Sequence, residues 1–110
     1  MSEIEHRAEK DGDKIKIFLE GKLNMKVSSK VRKVLHHHLG ENPSEMIVDL
    51  AKVTFIDSSG VAILIEALRL QMKAKRNLRL ENPTEQVRYT LKITQLSKVF
   101  GIEDLQEETS

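Results

Sequence analysis

The chain contains no cysteine, which excludes a disulfide framework, thiolate chemistry and a cysteine-based zinc site. It has no tryptophan, one tyrosine and three phenylalanines, too few rings to stack the bases of a single-stranded nucleic acid. Charge of one sign is also missing. Eighteen basic side chains face 17 acidic ones, for a net charge of +1, so there is no electrostatic footprint for a polyanion and no nucleic-acid partner is expected. No apolar run approaches the roughly 20 residues that span a bilayer. The start, Met1-Ser2-Glu3-Ile4-Glu5-His6, has neither the basic nor the apolar region of a secretory signal. No membrane insertion is expected. The lack of cysteine fits a reducing compartment, and the cytoplasm is the expected location.

What is present is a soluble globular composition, with 39% hydrophobic and 32% charged residues in 110. That length supports a single domain over residues 1–110 with one hydrophobic core. Residues 103–110 carry four carboxylates and no base, and are expected to fray as a solvated acidic tail.

Ile15, Ile17 and Leu19 alternate with Lys14, Lys16 and Phe18, the period-2 pattern of a half-buried strand. Asp11-Gly12 upstream is a hairpin signal that pairs residues near His6 to Lys10 with this strand. Gly21 breaks the run. Val27, Val31, Val34, Leu35 and Leu39 then recur at helical spacing, with Lys30, Arg32 and Lys33 opposite, which predicts a helix ending at Gly40. After Asn42-Pro43, the run Met46 to Leu50 has the length and composition of a central strand. Val61, Ile65, Leu68 and Met72 make the inward stripe of a second helix, with Glu66, Arg69, Lys73 and Lys75 towards water. Asn77 to Glu81 reads as a strand. Asn82-Pro83 reads as the cap and first residue of a third helix carrying Val87 and Leu91. Leu96, Val99, Phe100 and Ile102 suggest a short helix and an edge strand. The order β, β, α, β, α, β, α with a mixed end is that of an α/β layer fold.

The most informative stretch is Ile47 to Leu64, where a buried strand enters Asp57-Ser58-Ser59-Gly60 and a helix follows. Two hydroxyls and a carboxylate thereby sit at the positive end of a helix, a place to hold or receive a phosphate. One of the two serines is expected to cap the helix. The cap is assigned to Ser59 and the acceptor role to Ser58, because a hydroxyl turned to the backbone is a poorer acceptor. Gly60, without a side chain, would let a kinase approach closely. Taken alone, the four residues also fit a plain capped turn.

Several stretches in register resemble the STAS-domain family of anti-sigma factor antagonists. Gly21-Lys22-Leu23-Asn24 resembles the family's Gly-x-Leu/Ile-Asp element, with Asn24 in place of the usual acid. Val48-Asp49-Leu50, Val53 and Phe55-Ile56-Asp57-Ser58-Ser59-Gly60 resemble its strand-and-turn segment, and Leu96 to Ile102 its ending. The resemblance implies a STAS fold, a mixed sheet of four to five strands with helices packed mainly on one face. It also implies a non-catalytic switch protein without cofactor, phosphorylated on Ser58. An anti-sigma factor that is also a serine kinase would be the partner, bound before phosphorylation and released after it. A serine phosphatase would reset the switch. Asp57 would position Ser58, and Asn24, Ser58, Ser59 and Gly60 would join it on the partner surface. Other STAS proteins are constitutive subunits of a transporter ATPase or a stress-signalling complex, which is the alternative reading.

Three further readings are weaker on chemical grounds. A receiver-type phosphoaspartate at Asp57 needs an acidic pair for Mg²⁺ at an earlier strand end, where this chain has Leu19-Glu20-Gly21-Lys22. Hydrolysis at Ser58 lacks the Gly-x-Ser-x-Gly elbow. His36-His37-His38 cannot converge on one metal ion, because adjacent residues on a helix point about 100° apart. No metal site is therefore expected. Met25, Met46 and Met72 read as core or rim filling.

Overall fold

The computed structural model describes residues 4–94. The elements are β1 (Ile4–Asp11), β2 (Lys14–Leu23), α1 (Met25–Leu39), β3 (Glu45–Ile56), α2 (Ser58–Lys73), β4 (Asn77–Glu81) and α3 (Glu85–Ile93). The expected closing segment Leu96–Ile102 and the acidic tail lie outside the described residues.

The four strands form one mixed sheet in the order β1-β2-β3-β4. β1 and β2 are an antiparallel hairpin across Gly12-Asp13, with Gly12 at φ 64°, where the missing Cβ removes the steric cost. β2, β3 and β4 are mutually parallel. Their register aligns Ile15, Met46 and Leu78 in one row and Ile17, Val48 and Leu80 in the next. All six are buried, and α1 and α2 cover this face. The opposite face carries a ladder of ion pairs instead, Lys14–Glu45, Lys16–Glu81, Arg79–Glu45 and Arg79–Glu81. Charges interleaved in this way leave that face compatible with water. Lys16 has its pKa raised, chiefly by its hydrogen bond to Glu81.

β3 is longer than its apolar run indicates. Beyond Leu50 the inward residues are Val53 and Ile56, spaced by three instead of two. Two register shifts against β2, between Phe18 and Glu20 and between Gly21 and Lys22, account for this. Each adds one residue to β3 and returns the next apolar side chain to the core. Gly21 consequently does not end β2. It sits inside the strand at φ 124°, beside the second shift. The buried Asp49 braces the first shift, accepting from Ala51 N at 2.9 Å and from Asn82 Nδ2 at 2.9 Å, with Lys16 Nζ 3.7 Å away.

These contacts also move the start of α3. Asn82 adopts φ 55° and turns its amide to Asp49, so it cannot cap. Thr84 caps instead, accepting from Val87 N and donating to Val53 O at 2.8 Å. In α2 the inward stripe is Val61, Leu64, Leu68 and Gln71. Ile65 is only partly buried, and Met72 is 62% exposed. The buried Gln71 amide donates to Pro43 O and Asn77 O, joining the starts of β3 and β4. Met46 fills the core as expected, whereas Met25 is 72% exposed.

Candidate functional site

Leu23 and Ile56 are register partners at the C-terminal ends of the adjacent parallel strands β2 and β3. One residue later each strand reaches a helix cap, Asn24 for α1 and Asp57 for α2. Two helix N-termini therefore start side by side, and their partial positive charges add at this edge of the molecule. The Asp57 amide bonds Leu23 O at 3.3 Å, tying the two starts together.

Asp57, not Ser59, is the cap of α2. Its extended backbone (φ −117°, ψ −173°) directs the carboxylate back over the first turn. Oδ1 accepts from Ser59 N at 2.9 Å and Gly60 N at 3.1 Å, and Oδ2 accepts from Met25 N at 3.2 Å. One carboxylate thus satisfies amides of both helices, among the donors that helix starts leave unpaired. The serine assignment fails because a carboxylate at 57 already holds the amides that a capping hydroxyl would seek. Asn24 caps α1 in the same way, accepting from Lys26 N at 3.0 Å. Asn24 makes this capping bond without the charge that an aspartate would bring.

Ser58 is the first residue of α2 and is exposed. Among the described residues its hydroxyl has no hydrogen-bond partner. Ser59 is half-buried and contributes its backbone amide, not its hydroxyl. Gly60 faces inward. A Cβ there would lie 2.6 Å from Leu23 O, 2.7 Å from Leu23 Cγ and 2.8 Å from Ile56 Cγ1. The lack of a side chain serves the packing of α2 against the two strand ends. Around Asn24 a shallow depression of about 490 Å³ is bordered by Gly21, Lys22, Lys26 and Thr54, which places two cations on the rim.

The turn has a support that sequence reasoning missed. β4 pairs with β3 only as far as Asp49 and Glu81, leaving the end of β3 without a strand neighbour on that side. Gln86 of α3 fills the gap, its Oε1 accepting from Ile56 N at 2.9 Å and its Nε2 donating to Ile56 O at 3.3 Å. A glutamine amide imitates a strand's backbone here, directly before Asp57. A half-exposed glutamine on a short helix carries no local sequence signal for this. On the other side of α2, Glu66 accepts from Arg32 and pairs with His36 of α1, at 2.7 and 3.0 Å. The Arg32 guanidinium first, and then His36, lower the Glu66 pKa to about 2. A wider depression of about 600 Å³ on the open sheet face, around Arg7, Phe18 and Lys52, contains none of the candidate site residues.

An exposed serine opening a helix, between the ends of two parallel strands in a mixed four-stranded sheet, defines the class. Residues 6–108 match the STAS domain family, and the chain belongs to that family. Among its sequence relatives is the anti-sigma-B factor antagonist of Listeria monocytogenes, 25% identical over 100 residues that cover 91% of this chain and 88% of the relative. An anti-sigma factor antagonist from Mycobacterium paratuberculosis superposes with a TM-score of 0.78 at 19% identity, covering 89% of this chain and 83% of that one. The anti-sigma factor antagonist SpoIIAA in its unphosphorylated form gives a TM-score of 0.75 at 21% identity, covering 86% and 84%. At these identities the two structures establish a shared fold. Among the described residues no helix is long and apolar enough to cross a membrane.

Proposed function

We propose that this protein is an anti-sigma factor antagonist that works as a phosphorylation-controlled partner switch in the cytoplasm and catalyses nothing itself. With Ser58 unmodified it binds an anti-sigma factor that is also a serine kinase. Phosphorylated on Ser58 it lets go, and a serine phosphatase restores it. Asn24, Asp57, Ser58 and the adjoining turn form the contact surface. The observation that carries this reading is the Ser58 hydroxyl, exposed and unbonded among the described residues, on a turn whose amides Asp57 already holds. The relatives named as antagonists support the same reading.

The energetics are adequate. A phosphate on Ser58 adds roughly −1.5 to −2 charges, and two adjacent helix starts offset that charge. Asp57 keeps its capping bonds, so the fold survives modification. The change is confined to the surface. Lys22 and Lys26 on the rim suit a partner surface with acidic character, and a new dianion beside Asp57 repels such a surface. A penalty of about 3 kcal/mol weakens binding more than a hundredfold.

The test is mass spectrometry of the protein from its own cells, with the site localised between Ser58 and Ser59, together with binding of Ser58→Asp to the kinase partner. Phosphate on Ser58 and a folded Ser58→Asp that loses the partner are the expected results. Absence of phosphate through growth and stress, with unchanged Ser58→Asp binding, would refute the switch. That outcome would favour the constitutive subunit of a transporter ATPase or stress-signalling complex.

A further inference from the structure

The other end of α1 carries a second cluster of chemistry. The three adjacent imidazoles do not converge, in keeping with their angular spacing. His36 leaves the group and pairs with Glu66 at 3.0 Å. The chain beyond the helix brings in a different third group. Gly40 N bonds His36 O, Glu41 N bonds His38 O and Asn42 N bonds Leu39 O, all at 3.0 to 3.1 Å. Asn42 then turns through φ 57°. This hydrogen-bonded turn folds Glu41 back onto the helix end, with its Oε1 3.0 Å from His38 Nδ1. The His37 and His38 rings lie edge to face with centroids 4.9 Å apart. One donor atom from each of His37, His38 and Glu41 falls within 4.8 Å of the others.

We infer that His37, His38 and Glu41 form a binding site for a divalent transition-metal ion of the zinc type, at the opposite end of α1 from the Ser58 turn. Two ligands of a tetrahedral zinc ion, each about 2.0–2.1 Å from the metal, lie roughly 3.3 Å apart. The His38–Glu41 separation of 3.0 Å already fits that spacing. The ion would lie between His38 Nδ1 and Glu41 Oε1. His37 is exposed and completes the set by a side-chain rotation, with water in the remaining position.

Two features outside the three ligands favour the site. Lys10 Nζ holds Glu41 Oε2 at 2.7 Å, which orients the carboxylate with its other oxygen towards His38, as outer partners of metal ligands do. The C-terminal end of α1 adds the negative pole of the helix dipole, which attracts a cation. Two imidazoles and one carboxylate select zinc, nickel or copper over magnesium or calcium, which prefer all-oxygen sites. The site is about 18 Å along α1 from Met25 at a rise of 1.5 Å per residue, so it does not rest on the switch reading.

The test is isothermal titration of the full, untagged chain with zinc chloride. The variants His37→Ala, His38→Ala, Glu41→Gln and, as control, His36→Ala are titrated alongside, each checked for native circular dichroism. Expected are saturable uptake of one ion per chain and weakening by at least about tenfold in the three ligand variants. The His36→Ala control should bind normally, and magnesium should give no heat. Failure to take up zinc, uptake indifferent to His38→Ala and Glu41→Gln, or loss on His36→Ala would overturn the assignment. The last result would move the ion to the His36–Glu66 pair.

Discussion

Gly60→Ala tests how the serine turn is seated. The added methyl carbon would sit 2.6 Å from Leu23 O, about 0.8 Å inside ordinary van der Waals contact at 3.4 Å. Relief is difficult, because the obstructing atom is backbone. Leu23 O accepts from Asp57 N, and Leu23 is in register with Ile56 across β2 and β3. Leu23 and Ile56 are also 0% and 1% exposed, so their side chains have no empty space to enter. Overpacking of this kind costs about 1–3 kcal/mol, while replacing glycine inside a helix returns at most about 1 kcal/mol. With three contacts under 3.0 Å the cost falls at about 2–3 kcal/mol, so the net expectation is a loss of about 1–2 kcal/mol, which lowers the urea midpoint by roughly 1 M for a chain of this size. Equilibrium urea unfolding followed by circular dichroism measures it directly. A midpoint equal to or above that of the unaltered protein would refute the reasoning, since α2 could then slide away from β2 without loss.

Two further outcomes follow from the same geometry. Asp57→Ala strands the amides of Ser59, Gly60 and Met25 and should cost about 2 kcal/mol, whereas Ser59→Ala should stay within about 0.5 kcal/mol; the reverse order in urea unfolding would return the cap to Ser59. For Glu66, the folded pKa of about 2 lies below the ordinary 4.5, so its pairing with Arg32 and His36 stabilises the fold above the ordinary value and loses that effect as pH falls towards 2. Glu66→Gln should therefore melt below the unaltered protein at pH 7, with the gap closing between pH 4.5 and 2; a gap that stays constant would sink this assignment.

The order of the elements was legible because hydrophobic periodicity and turn residues are local. Alternation in Lys14 to Leu19 marks a strand, the spacing of Val27, Val31 and Leu35 marks a helix, and a polar turn between them marks the join. The same locality exposed Asp57-Ser58-Ser59-Gly60 as a helix start, whereas Asn24 entered the site through the family resemblance alone. Where a residue's role depends on a distant partner, the sequence alone was misleading. Ser59 and Asp57 are both competent caps, and the choice falls to Asp57, whose second oxygen also reaches Met25, 32 residues away in the chain. The clearance that Gly60 gives Leu23 carries no local signal, because the pairing of β2 with β3 brings Leu23 there. β3 appeared to stop at Leu50 because its two register shifts exist only against β2. Gln86 gained its role from the shortness of β4, and His37 and His38 gained a third neighbour through the turn that carries Glu41. Local pattern therefore determined which elements form and where the exposed serine lies. Packing decided which groups meet, because capping, clearance and ligation each depend on distances set by strands and helices far apart in the chain.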